Sequence, residues 1–265
     1  MNAQQETMKQ TYTSHVTAAD AVTWAGFVLA ILAGIAAALA GLGSRWGWWH
    51  FTIGFTILQA AAISGIVAAA ISLIGGIATR NEHHVSLVIL AAAGILIGLV
   101  AAGIPWSWMR TAERMPNIND ITTDMTNPPQ FVKIMPLRQE APTAYGGSEV
   151  ANQQRAYYPD IQPLVLPIAP SVAFDAALRV AGDKGWQIVD SNASEGRIEA
   201  VATTFWFGFK DDVVVRVTPV SGGSRVDVRS VSRVGSGDIG TNAERVRSFL
   251  HELASTSIID PKWGG

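Results

Sequence analysis

Three continuous apolar stretches fill the first part of the chain, and shorter alternating patterns replace them beyond it. Ala21–Gly43 (AVTWAGFVLAILAGIAAALAGLG), about Phe51–Thr79 and about Val85–Pro105 are each long enough to cross a hydrocarbon layer of roughly 30 Å at about 1.5 Å per residue. Between residues 21 and 108 the only formal charges are Arg45, Arg80 and Glu82. The pattern predicts three transmembrane helices behind a polar tail, residues 1–20. The first run is too long, and too far from the start, for a cleavable signal peptide.

The spans are rich in Ala and Gly, and Gly94-x-x-x-Gly98 lies in the third. Small residues let helices approach closely where lipid supplies no hydrophobic drive. The motif fits either packing among the three spans or a homo-oligomer through the membrane helices. Pumps and transporters place ionisable groups inside their spans; these spans hold none, so this part reads as an anchor. Three spans put Trp46, Trp48 and Trp49 at the same interface as Trp106 and Trp108, an aromatic belt. Lys9 and Arg80 mark one side, and Arg45, Arg110 and Arg114 the other, so charge alone leans slightly toward a cytosolic C-terminal part.

Residues 109–163 are rich in Pro, Asn, Asp and Thr without sustained periodicity, which predicts an extended, surface-hugging segment. From Leu164 regular patterns return, and residues 164–256 read as one domain before a tail, 257–265. LVLPI is a short strand. Residues 169–185 then read as a helix with Ser171 as N-cap, a stripe of Phe174, Ala177, Leu178 and Ala181, and Gly185 as its stop. WQIVDSN and RIEAVATT are strands about a turn at Ser194–Gly196, and VVVRVTPV and RVDVRSVSRV are joined by Ser221-Gly222-Gly223. Residues 241–256 close as a helix with Val246, Phe249, Leu250 and Leu253 on one face. The order β-α-β-β-β-β-α predicts an α+β domain, an antiparallel sheet of four or five strands with two helices on one face, similar to helix-grip domains.

Charge is confined to this second part: residues 111–265 carry 15 Lys+Arg and 18 Asp+Glu. A balance near zero without a basic block argues against nucleic-acid binding. With no cysteine, disulfides, thiolate nucleophiles and Cys-type metal sites are excluded. His251 is the single histidine beyond the spans, and no hydrolase, zinc-protease or Walker motif is present. The expectation is a non-enzyme without cofactor or metal. Asp120 and Asp124 in DITTD fit a metal pair less well than turn and capping roles.

Gly235-x-Gly237-x-x-Gly240 matches the dinucleotide-binding pattern and sits between a strand and a helix. That site, however, needs a parallel βαβ unit with an acid on the following strand. Here the helix ends the domain, and Asp260 lies in the tail. The glycines instead suit a strand-to-helix turn, capped by Asp238 or Thr241, with Thr241 and Glu244 forming a capping box. The amides at the helix start, with Arg233 and Arg245 nearby, could also hold an anion.

In the last strand Val226, Val228, Ser230 and Ser232 share one face, and Asp227, Arg229, Val231 and Arg233 the other, joined there by Arg197, Glu199 and Arg216. This second face reads as a solvated surface of charge pairs, or as a docking face for an acidic partner or headgroup. Phe205, Trp206, Phe207 and Phe209 crowd around Gly208; those that do not reach the core can cover an edge, touch the membrane or meet a partner. Asp211 and Asp212 point to opposite faces. The candidate partner- or anion-binding residues are Arg229, Arg233, Asp238, Asn242, Arg245, Trp206, Lys210, Asp211 and Asp212.

PNINDITTD, NPPQF, QQRAYYPDIQPL, GWQIV, RIEAVATTFWFGFKDDVVVRV and SRVDVRSVSRVGSGDIGTNAERVRSFL together resemble the bacterial family called domain of unknown function 1499, over roughly Pro116–Ala254. The resemblance implies that Pro116–Pro163 belongs to the module, and it brings no catalytic set. Chloroplast relatives in plants imply the outer side of an energy-transducing membrane, hence the periplasm in a bacterium. The expectation is a multi-pass inner-membrane protein whose periplasmic domain binds an unidentified protein partner or lipid. The alternatives are a carrier holding a lipid or small apolar ligand between sheet and helices, and an enzyme acting on an anionic substrate.

Overall fold

The computed structural model describes residues 18–79, 85–138, 141 and 144–259. Lys9, Arg80, Glu82, His83, His84 and Asp260 lie outside them. The chain divides into two units, Met1–Trp108 and Met109–Gly265.

The first unit is built on α1 (Ala18–Arg45), α2 (Phe51–Thr79) and α3 (Val85–Arg114), all long and apolar enough to cross a membrane. Its packing inverts the soluble pattern. Ala30, Ala33, Ala40, Ala61 and Ala68 are buried, while Leu32, Ile35, Ile63, Ile74 and Leu96 face outward, as suits lipid. A Cβ on Gly65 would lie 2.6 Å from the Gly98 carbonyl oxygen, and one on Gly75 would lie 2.7 Å from the Thr23 Cα. Gly94 abuts Ser72 and Phe27, so both glycines of the Gly-x-x-x-Gly motif are engaged within the bundle. They offer no bare surface to a second copy. Pro105 does not end α3, as the sequence suggested; the helix continues to Arg114. The proline lacks only the one N–H that would reach back a turn, to Ala101.

The second unit is an α+β domain. Its elements are β1 (Asp120–Thr122), a 3-10 turn at Met135–Leu137, α4 (Gly147–Tyr157), β2 (Leu164–Leu166), α5 (Pro170–Asp183), β3 (Gln187–Asn192), β4 (Arg197–Thr203), β5 (Lys210–Val220), β6 (Gly223–Ser232) and α6 (Thr241–Ile259). One antiparallel sheet runs β1-β6-β5-β4-β3, with β2 also pairing with β6. β1 takes the last turn of β6 (Asp120 opposite Val231) and β2 its beginning (Leu164 opposite Val226). The sheet therefore has six strands, because two three-residue pieces share one long partner.

Alternation on β4, β5 and β6 sends Ile198, Ala200, Val213, Val215, Val226 and Val228 into one core with Phe174, Ala177 and Val180 of α5 and Val246, Phe249 and Leu253 of α6. Trp186 stacks on Phe249 with ring centroids 5.2 Å apart, filling the space between sheet and helices. α5 begins at Pro170 with Ala169 as N-cap, two residues ahead of the expected Ser171, because the fixed φ of proline suits the first helical position. It stops at Gly185, φ +70°, where the Trp186 amide donates back to the Ala181 carbonyl.

Residues 109–163 are more ordered than their sequence predicts. β1 and α4 form there, and Gln154 of α4 is fully buried against β1. Its amide nitrogen donates to the Thr122 carbonyl at 2.6 Å, and its oxygen accepts from the Thr122 amide at 3.0 Å. A side chain thus completes the backbone pairing that an edge strand would leave open.

Candidate functional site

The sheet face opposite the helices carries Glu199, Asp212, Arg216, Asp227 and Arg229, as alternation requires. The sequence reading of a solvated or docking face is corrected by what covers it. Residues 123–138 cross this face as a strap, burying Phe131 and Ile134 against Val201, Val214 and Val231. Glu199, Asp212, Asp227 and Arg229 are completely inaccessible.

The strap is fastened by charge. The Glu199 carboxylate accepts from the consecutive amides of Val132 (2.9 Å), Lys133 (3.0 Å) and Ile134 (2.8 Å), a backbone nest already filled by an internal anion. Arg197 pairs with the same carboxylate. Arg138 reaches Asp212 at 2.7 Å, and Arg233 clamps that aspartate from the other side. Arg229 makes a two-pronged pair with Asp120, 2.9 and 2.7 Å, its guanidinium lying over the rings of Phe131 and Tyr145. Burial, reinforced by the Asp120 charge, pushes the Tyr145 phenol up to about 12. At the other end of the strap Asp124 meets Arg216 (2.8 Å) and Arg225 (3.1 Å). Burial raises its carboxyl, but the amides of Asn127 and Thr126 and the Arg216 guanidinium outweigh that and hold it below the usual range. Asp120 and Asp124 therefore face arginines, which removes the metal-pair reading; among the described residues no cluster of three metal-binding side chains occurs.

On the helix side, the start of α6 is equally engaged. Asp211 pairs with Arg245 at 2.6 Å, and Arg245 also donates to Asn242 and Ser230. Buried Asn242 donates to Ser232 and the Asn119 carbonyl. The glycine loop is an antiparallel strand-to-helix turn, with Gly235 and Gly240 at φ +84° and +86°. Asp238 caps α6, accepting from the amides of Gly240 (3.0 Å) and Asn242 (2.5 Å). The amides proposed for an anion are thus occupied by the protein's own carboxylate, and every strand pairing among the described residues is antiparallel. Burial pushes the Asp238 carboxyl above the usual range, against those two amides and with Asp211 adding to the rise. The Thr241–Glu244 capping box does not form as expected: Thr241 donates to the Asp238 carbonyl, and Glu244 is exposed near Arg247.

The structure gathers the nine candidate residues toward one end of the sheet, but most point inward. Asp211, Asp212, Arg229 and Asn242 are buried, and Arg233 and Arg245 are held in ion pairs. Exposed there are Phe205, Lys210 and part of Trp206. Beside them an open groove of about 550 Å³ lies along the start of α6, between Lys184, Trp186, Thr241, Glu244, Arg245 and Ser248. Sequence reasoning missed Lys184, Trp186 and Ser248, the first two from the segment between α5 and β3 and the third from α6. The one available signal was Trp186 directly after the Gly185 stop. Lys184 is itself held by Ser248 (2.7 Å) and Glu252 (2.8 Å).

The family model described as "Protein of unknown function (DUF1499)" matches residues 120–253, from β1 into α6. No curated protein matches the chain.

Proposed function

The chain belongs to the DUF1499 family, and from that premise we propose that it is a non-enzymatic module of the bacterial inner membrane whose α+β domain binds a protein partner or envelope component in the periplasm. The observation that carries this reading is the state of the domain's charges. The buried carboxylates and guanidiniums are locked in pairs with one another, which builds a rigid scaffold and leaves, among the described residues of the domain, no poised acid and base for turnover. What the domain offers outward is the groove along α6 and the aromatic turn at Phe205. A cargo lodged between sheet and helices is disfavoured by the Trp186–Phe249 stack that fills that layer.

An alkaline phosphatase fused after Gly265 tests the compartment, with a cytosolic fluorescent reporter at the same place as control. Phosphatase activity supports the periplasmic reading; a silent phosphatase with a bright reporter overturns it. A photo-crosslinking residue at Glu244, on the groove, should yield one discrete adduct that is absent from the same probe at Val165.

A further inference from the structure

The β4–β5 turn presents Phe205 with 83% of its surface exposed, which is exceptional for a phenylalanine in a domain with a filled core. The turn is not loose. The Thr204 amide donates to the Phe209 carbonyl at 2.8 Å, the Phe209 amide to the Thr204 hydroxyl at 2.9 Å, and Phe207 stacks on Phe209 and meets Trp206 edge-on. Phe205 is therefore held outward. The Arg233 amide donates to the Lys210 carbonyl at 3.1 Å, which sets the β6–α6 loop alongside, and that loop exposes Val234 and Ile239.

The same loop is tied to the tether. Asn119 donates to the Gly235 carbonyl, and the Ser236 hydroxyl donates to Asn117 at 2.9 Å. Asn117 lies three residues past Arg114, the end of α3. Three extended residues span at most about 11 Å. The exposed aromatic end of the domain is thus the end at which the chain leaves the membrane helix.

We infer that Phe205, Trp206, Val234 and Ile239 seat in the headgroup layer of the bilayer that holds α1–α3, with the exposed Lys210 ammonium meeting lipid phosphate. The chemistry matches this layer: aromatic and aliphatic side chains enter the boundary while a lysine stem keeps its charge in the polar zone. A bilayer is the occupant because the tether, the polar last turns of α3 after Trp108 and the three residues beyond it, keeps this end of the domain within about 20 Å of the interface. The inference does not rest on the compartment, since the domain lies on whichever side α3 emerges.

The chain contains no cysteine, so single nitroxide labels can be placed in the full-length protein reconstituted in phosphatidylethanolamine–phosphatidylglycerol nanodiscs. Val234→Cys probes the patch and Val165→Cys, on β2 at the opposite end of the sheet, serves as control. The expected result is a Val234 label several-fold more accessible to oxygen, relative to a water-soluble nickel chelate, than the Val165 label. Phe205→Ser with Trp206→Ser should return it to the Val165 value while far-ultraviolet dichroism and the urea midpoint stay those of the parent. A Val234 label that matches Val165 in the intact protein overturns the inference. So does one shielded from both reagents, which would mean a protein surface covers the patch, or one that stays in lipid after the aromatics are removed.

Discussion

Arg229 is the residue on which the domain's charged layer turns. A buried guanidinium is stable only because Asp120 grips both prongs and two rings flank its plane. Arg229→Ala strands the Asp120 carboxylate beneath the strap, and the expected loss is about 3–5 kcal/mol by urea denaturation. Arg229→Lys should lose part of that too, because an ammonium cannot reproduce the two-pronged geometry. Tyr145 gives the opposite expectation. Its hydroxyl is buried with no hydrogen-bond partner among the described residues, so Tyr145→Phe should leave stability unchanged or raise it by about 1 kcal/mol. Asp124 supplies a pH signature. Because its native pKa is lowered, the unfolded chain takes up the proton first. Its stabilisation is full above the ordinary carboxylate value of about 4 and disappears as pH falls through the native one. Asp124→Asn should accordingly be weaker than the parent at pH 7 and approach it as the pH falls below the native carboxyl value, in matched urea titrations.

At the scale of elements, the strap and α4 show why part of the fold was hidden from the sequence. The strands from Gln187 to Ser232 and both long helices announce themselves by the period at which their apolar side chains recur. β1 is three residues long, too short for any period. α4 buries only Ala151 and Gln154, so its helix carries no apolar stripe. The strap has no periodicity because its amides are answered by Glu199, more than sixty residues away in sequence. Alternation likewise identified which side chains share the second face of the sheet but not that a strap covers them, which is why Arg229 read as a surface group. The candidate end of the sheet was legible as a set of residues; the direction in which each points was set by partners from distant segments. Glu199→Gln tests the strap directly. One neutral amide oxygen cannot accept from three amides as a carboxylate does, so residues 132–134 should lose hydrogen-exchange protection selectively, with a global cost of about 2–4 kcal/mol.

At the scale of the whole molecule, opposite packing rules govern the two units. In the domain, large apolar side chains go inward and water drives them there, as Phe249 and Leu253 show at zero exposure. In the bundle, where lipid is as apolar as any side chain, close approach of backbones replaces that drive, and the inward positions belong to Gly26, Gly65, Gly75, Gly94 and Gly98. Position therefore decides the effect of a large residue more than its hydrophobicity does. Gly98→Leu would press a branched side chain into the Gly65 carbonyl and the Ala69 backbone, forcing α2 and α3 apart. Leu96→Gly, two residues away on the exposed side, removes far more apolar surface yet touches no packed neighbour of that kind. The expected outcome in mild detergent is a large fall in thermal midpoint and new protease cleavage between α2 and α3 for Gly98→Leu, with a smaller change for Leu96→Gly. Among the described residues, the domain's two hydrophobic clusters draw on buried side chains from Ile118 to Leu253. Cleavage in the Gly98→Leu protein should therefore leave the domain fragment protected, and loss of that fragment would show that the bundle supports the domain's fold as well as its place in the membrane.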